Sequence, residues 1–251
     1  MILFRSLCFA LFQAVSLTVW GTLFLLLAPF LSPSWRYAFA IRWPAMMVWA
    51  ARFILGIRWR VLHAERLEPF RDRAIIVASK HQSAWETFFL PTYLPRQLCF
   101  VFKKELLRIP FFGWGIGLLP MIHIDRKQAR KAYQQIAEQG QRRAQERRWI
   151  TFFPEGTRTA PGQRIPYKGG AARLAFTLGL PVVPIAHNAG YLWPRKAFLK
   201  KSGVVTVVIG EALEPSQFSS DELLLRAIEQ WIEKTCAEME AHGATGATLP
   251  L

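Results

Sequence analysis

Apolar and polar positions divide this chain into two regimes. From Ser6 to Trp35 no residue is charged, and from Tyr37 to Ile57 the only charges are Arg42 and Arg52. Beyond Arg58, short apolar runs alternate with polar stretches of helical period. The first regime is long enough to cross a bilayer, which takes about 20 apolar residues. Pro29 and Pro33 interrupt it as a turn would. The second regime predicts strands over Ile57–Leu62, Ala74–Ser79, Gln97–Lys103, Met121–Ile124, Trp149–Phe153, Pro181–His187 and Val204–Ile209. It predicts helices over Trp85–Tyr93, Gln128–Arg147, Gly170–Leu178 and Ser219–His242. In Gln128–Arg147 the apolar side carries Ala129, Ala132, Tyr133, Ile136 and Ala137, with Gly140 as a weak point. In the last helix Leu224, Ile228, Trp231 and Thr235 share a side, and Ser219 with Glu222 forms a capping box. Strands and helices mixed in this way define an α/β domain with a mixed sheet flanked by helices. The expected organisation is a helical N-terminal segment over 1–57, the α/β domain over 58–242 and a tail over 243–251.

The N-terminal segment has three readings. Arg5 before an apolar run suits a cleaved signal peptide, but the run far exceeds the usual core of about 7–15 residues and no small-x-small site follows. A single spanning helix would use only the first stretch. Two stretches joined at Pro29 and Pro33 favour a membrane-embedded two-helix hairpin, with Trp43, Trp49 and the arginines at headgroup level.

Charge refines this picture. The net charge is +15, and residues 1–60 hold six Arg and no acidic residue. No nucleic-acid motif accompanies the charge, so a phospholipid surface, worth about 1 kcal/mol per well-placed cation, is the expected partner rather than nucleic acid. The three cysteines, Cys8, Cys99 and Cys236, are scattered, which indicates neither a disulfide framework nor a metal site and suits a reducing, cytosol-facing location.

Candidate chemistry sits at two strand ends. The first is Lys80-His81-Gln82-Ser83-Ala84-Trp85-Glu86, after the apolar run 74–78. Residues five apart do not share a helix face, so His81 and Glu86 meet only if a turn at Gln82-Ser83 intervenes. Two readings of Glu86 stand side by side. Ser83 and Glu86 form a capping box, or Glu86 fixes the tautomer of His81 so that the other ring nitrogen takes a proton from a hydroxyl. His63 and Glu68 have the same spacing in a polar context and read as a solvated surface pair.

The second is Phe153-Pro154-Glu155-Gly156-Thr157-Arg158, after the run 149–152. Gly156 permits a tight turn. Arg158 offers a planar fork that matches phosphate oxygens. Thr157 adds a hydroxyl, and Glu155 is placed to orient Arg158.

Together these blocks resemble the glycerolipid acyltransferase family, and within it the lysophosphatidate acyltransferases. The His81 block is similar to the family's His-x4-Asp motif. Phe100 to Leu106 with Ile109 to Trp114, closing on Ile124-Asp125-Arg126, is similar to its second block. Phe153 to Arg158 is similar to its third, and Val182-Val183-Pro184-Ile185 to its fourth. The four blocks cover about residues 75–190 in family order. One position departs from the family pattern: Glu86 stands where Asp is usual, one methylene longer with the carboxylate kept.

The resemblance implies transfer of an acyl group from acyl-CoA or acyl-carrier protein to the sn-2 hydroxyl of lysophosphatidic acid, giving phosphatidic acid. His81 would be general base and Glu86 its orienting partner. There would be no acyl-enzyme, no cofactor beyond the donor and no metal. Arg158 would hold the phosphate, with Lys103, Lys104 and Arg126 as further phosphate-binding residues and Glu155, Gly156 and Thr157 as the supporting turn. The expected location is the bacterial inner membrane with the site facing the cytoplasm. A related acyltransferase using another acceptor, such as lyso-ornithine lipid, is the alternative.

Overall fold

The computed structural model describes residues 1–125 and 129–245, with the side chains of 129–132 and 242–245 left aside. The predicted phosphate residue Arg126 and the end of the predicted tail lie outside the described residues.

Seven strands form one sheet: β1 (Ile57–Leu62), β2 (Ile76–Ser79), β3 (Leu98–Lys103), β4 (Ile122–Ile124), β5 (Trp149–Phe152), β6 (Val182–His187) and β7 (Gly203–Ile209). Their spatial order is β1-β7-β6-β2-β5-β3-β4. Only β6 and β7 pair antiparallel, with Ile185 opposite Ile209. β6, β2, β5, β3 and β4 therefore run parallel and end at one edge. The central strands β2 and β5 are wholly buried, as expected of strands covered on both faces. That common edge is where open α/β sheets place ligands.

The helices are α1 (Ile2–Leu27), α2 (Pro33–Ala40), α3 (Arg42–Ala50), α4 (Trp85–Tyr93), α5 (Phe112–Gly117), α6 (Ala129–Gln145), α7 (Gly170–Leu178) and α8 (Asp221–Thr245). α6, α7 and α8 cover one face of the sheet around Ile150, Val182, Leu224 and Ile228. Gly140 of α6 is explained by packing: a Cβ there would lie 3.1 Å from Leu174 of α7, so the glycine allows close approach. α8 buries Leu224, Ile228, Ile232, Cys236 and Met239. Its first turn is capped by Ser220 rather than Ser219, since Leu223 N–H donates to Ser220 Oγ at 3.3 Å. The helix also runs past the predicted end at 242.

The opposite face is covered by α4 and by the N-terminal helices. Two stretches, Ile2–Phe30 and Pro33–Leu55, are long and apolar enough to cross a membrane. They break where the prolines predicted, at Ala28–Phe30 and at Pro33, with Ser32 accepting from Trp35 N–H. One side of α1 exposes Leu7, Leu11, Val15 and Val19. Its other side joins the core: Phe9 packs edge-on to Trp193 at 5.1 Å, and Ser6 Oγ accepts from Lys200 N–H at 3.0 Å. Trp43 of α3 meets Phe88 of α4 at 5.4 Å and donates to Ser16 at 3.2 Å.

Candidate active site

The two motifs meet at the carboxyl ends of adjacent parallel strands, β2 and β5. His81 lies just beyond β2 and Glu155 just beyond β5. Glu155 Oε2 accepts the His81 N–H at 2.7 Å, and Thr159 N–H donates to the His81 carbonyl at 2.8 Å. The second motif thus clamps the backbone of the first on both sides. His81 is further confined by Phe153, whose ring stacks on the imidazole at 4.0 Å.

Glu86 fulfils both readings at once. Its Oε1 accepts from His81 Nδ1 at 2.8 Å and from the N–H groups of Gln82 and Ser83 at 3.1 and 2.9 Å. Ser83 Oγ in turn accepts from Trp85 N–H at 3.1 Å. The capping geometry brings the carboxylate back one turn, and that is how residues five apart come into contact. Burial presses the Glu86 carboxyl upward, but attraction to His187 when that ring is charged, the bond from His81 and the Ser83 N–H outweigh it and hold it below the ordinary carboxylate value. A carboxylate on Nδ1 fixes the tautomer and leaves Nε2 to accept a proton.

His187, at the end of β6, completes the back wall. Its Nε2 lies 2.8 Å from the Lys80 carbonyl, and its Nδ1 accepts Ala189 N–H at 3.3 Å. One carbonyl and one amide define a neutral ring with the proton on Nε2, and burial lowers its pKa further in that direction. Glu86 Oε2 faces this ring at 3.9 Å and has no hydrogen bond among the described residues.

Behind His81 lies a charged cluster that sequence reasoning missed. Lys80 is 2% exposed. Its Nζ lies 2.8 Å from Glu155 Oε1 and 2.6 Å from Glu233 Oε1 of α8. Thr159 Oγ1 donates to Glu155 at 2.8 Å, and the Tyr167 hydroxyl donates to Glu233 at 2.8 Å. The expectation that Glu155 orients Arg158 is therefore corrected: Glu155 turns inward, because Lys80 supplies the counter-charge that a buried carboxylate needs. The available signal was a lysine ending a fully apolar strand; its partners, distant in sequence, left no pattern.

The remaining predicted residues separate clearly. His81, Lys103, Gly156, Thr157 and Arg158 line one cavity of about 640 Å³. Gly156 takes a positive φ of 69°, as its turn requires. Lys104 begins the next short helical turn, is exposed and lies outside the cavity lining. The expected surface pair of His63 and Glu68 does not form: His63 lies 3.5 Å from Glu65, and Glu68 bonds Arg71 instead. Two further lining residues, Arg195 and Lys196, come from the β6–β7 connection. Away from this polar mouth the cavity is apolar, walled by Trp20 and Phe24 of α1, Phe88 of α4, Phe112 and Ile116 of α5, and Phe100 of β3. An open depression of about 770 Å³ along α8 touches neither His81 nor Arg158. Among the described residues no group of three or more His, Cys, Asp or Glu is arranged to hold a metal ion.

A half-buried imidazole held by a buried carboxylate stands at the polar mouth of an apolar cavity, on the carboxyl edge of a parallel sheet. The family model described as "Acyltransferase" matches residues 60–188, about half the chain, and the chain belongs to that family and is an enzyme of it. Over 239 residues it is 41% identical to the 1-acyl-sn-glycerol-3-phosphate acyltransferase of Pseudomonas aeruginosa, covering 94% of this chain and 91% of that one. Over 174 residues it is 29% identical to the human 1-acyl-sn-glycerol-3-phosphate acyltransferase beta, covering 68% and 62% respectively. The crystal structure of the LPA acyltransferase PlsC of Thermotoga maritima superposes with a TM-score of 0.78 over 96% of both chains, at 24% identity, and shares the fold.

Proposed function

We propose that this enzyme transfers a fatty acyl group from an acyl thioester, acyl-CoA or acyl-carrier protein, to the sn-2 hydroxyl of lysophosphatidic acid. The observation that carries the reading is the His81–Glu86 pair opening onto a cavity that is cationic at its mouth and apolar within. Relatives named for this reaction, one of them 41% identical over nearly the whole chain, support the choice of substrate.

His81 Nε2 takes the proton of the sn-2 hydroxyl as that oxygen attacks the thioester carbonyl. Glu86 keeps the proton on Nδ1 and stabilises the imidazolium that forms. The tetrahedral adduct collapses, the C–S bond breaks, and the thiolate leaves with the proton returned from His81. Phosphatidic acid and a free thiol result, with no further cofactor consumed. The acceptor's hydroxyl is the only nucleophile required. Cys99 and Cys236 are unsuited to the role, since burial pushes both thiols up to about 12.

Arg158 binds the acceptor phosphate, and Lys103 adds charge at the mouth. The acyl chain lies among Trp20, Phe24, Phe88 and Phe112, where each buried methylene contributes about 0.8 kcal/mol. The N-terminal helices hold this mouth at the cytoplasmic leaflet of a bacterial inner membrane, where acceptor and product reside. Lyso-ornithine lipid, which lacks a phosphate, matches these cations less well.

The test is radiolabelled transfer from oleoyl-CoA to lysophosphatidate by the detergent-solubilised full chain, beside His81→Ala. Labelled phosphatidate from the unmodified protein alone supports the reading. Equal product from both removes His81 as the base. Product only with lyso-ornithine lipid replaces the acceptor.

A further inference from the structure

The cavity mouth carries more positive charge than one phosphate needs. Lys103, Arg158, Arg195 and Lys196 all line it, from three separate segments of chain, and no lining residue is acidic. Among the described residues none of the four takes part in an ion pair. What sets these four apart is their convergence: they come together around one concave opening that no carboxylate lines. Cations left unpaired around a concave opening raise the local concentration of anions.

Arg195 is tied to the proposed site, and Lys196 follows it in the chain. Arg195 Nη1 donates to the Arg158 carbonyl at 2.7 Å, which engages one of its five N–H donors. That bond braces the turn of Arg158 and holds the Arg195 guanidinium against its backbone. Trp193, buried against Phe9 of α1, anchors the start of the same connection. Both cations are exposed at the opening rather than folded onto the core.

The reaction proposed above brings two phosphate-bearing molecules to one mouth. The acceptor carries a phosphomonoester. The donor carries a pyrophosphate and a phosphomonoester in CoA, or a phosphodiester in the prosthetic group of a carrier protein. Two anions held close together repel unless each has its own counter-charge. We propose that Arg195 and Lys196 form a second phosphate-binding subsite, beside Arg158, that takes a phosphate mono- or diester of one of these two substrates. The subsite rests on the acyltransfer reading for its ligand class, but its geometry stands apart from the His81–Glu86 pair.

The experiment uses the full chain in detergent, with Arg195→Gln, Lys196→Gln and Arg195→Lys. The KM for lysophosphatidate is measured at saturating oleoyl-CoA, and the KM for oleoyl-CoA at saturating lysophosphatidate. Loss of one charge-assisted bond raises one of the two about ten- to a hundredfold, more than it lowers kcat. Arg195→Lys, which keeps the charge, retains most of the affinity. A rise in the acceptor KM assigns the acceptor's phosphate, and a rise in the donor KM assigns the donor's.

Equilibrium binding of lysophosphatidate, of 1-monoacylglycerol, which has no phosphate, and of CoA is read in parallel without turnover. The subsite predicts weaker binding of a phosphate-bearing ligand and unchanged binding of monoacylglycerol. Unchanged KM values in an active enzyme overturn the subsite and leave the proposed reaction standing. Equal weakening toward monoacylglycerol also overturns it, because the loss is then one of shape. An unmodified protein that binds lysophosphatidate or CoA through Arg195 or Lys196 but transfers no acyl group keeps the subsite and overturns the reaction. If Arg195→Gln fails to fold, Lys196→Gln decides by the same readings.

Discussion

Lys80→Met is the sharpest test of how the His81 turn is held. The substitution keeps an unbranched side chain of similar length and removes the ammonium. Burial works to lower the pKa of Lys80, but Glu155 and Glu233 outweigh it, so the group stays charged. Its loss leaves Glu155 without a counter-ion, facing Glu233, whose remaining cation is the largely exposed Arg164 at 3.7 Å. Removing one partner from a buried ion pair costs about 3–5 kcal/mol. For a chain of 251 residues each kcal/mol lowers Tm by roughly 2–4 °C, so the expected fall is roughly 6–20 °C. Burial already raises the Glu155 carboxyl above its ordinary value, in spite of Lys80. A group with a raised folded pKa contributes stability that is complete below its unfolded value and is lost as pH rises through the folded value. Without Lys80 that folded value rises further, so the deficit of the variant grows as pH rises above the ordinary carboxylate value. The same change loosens the Glu155 bond to His81 N–H, now 2.7 Å, and lowers kcat. Thermal unfolding at a series of pH values, with acyltransfer assayed alongside, reads both effects. Lys80→Met/Glu233→Gln keeps an acceptor for Tyr167 and recovers part of the loss, with a coupling of about 0.5–3 kcal/mol. A Tm for Lys80→Met within ~2 °C of the unmodified protein, equal at all pH values, would refute the argument.

His81→Ala removes the proposed base and lowers kcat by about 10²–10⁴-fold, while Glu86→Gln loses more than Glu86→Asp because only the latter keeps a carboxylate for Nδ1; single-turnover rates measure both. His187 has a folded pKa below its ordinary 6.5, so the unfolded chain takes up a proton that the native protein refuses. Stability from this group is present above about pH 6.5 and declines as pH falls toward the folded value, and in His187→Gln that part of the acid slope of Tm disappears. Gly115 lines the apolar part of the cavity, and a Cβ there would lie 3.4 Å from Phe24. Gly115→Leu therefore narrows it and shifts donor preference toward shorter acyl chains; a chain-length panel that keeps its original order would count against the apolar wall as the acyl site.

Much of this architecture was written locally. Most strands were apolar runs closed by turn residues, β1 alternated apolar and basic residues, and all seven predicted strands exist, with ends displaced by at most two residues. The prolines at 29 and 33 marked the break between the two apolar stretches, and His81, Glu86, Gly156 and Arg158 were visible as types at strand ends. Local pattern carries such features because propensity, capping and turn chemistry act over a few residues.

Contacts that close over long loops leave no such trace. Glu155 reads as a neighbour of Arg158 along the chain, yet its partners are Lys80 and the backbone of His81, 75 and 74 residues away, because β2 and β5 pair side by side. Glu233 looks like a solvated helix residue until α8 packs on the sheet and turns it toward Lys80. Arg195 and Lys196 sit in a connection with no periodicity, and only the parallel edge of the sheet brings them to the mouth that Arg158 lines. Residue types and element boundaries were thus settled by neighbours in sequence. Which charges are buried together, and which stand free at the cavity, was decided by strand order, since only the assembled sheet determines which polar groups lose their water.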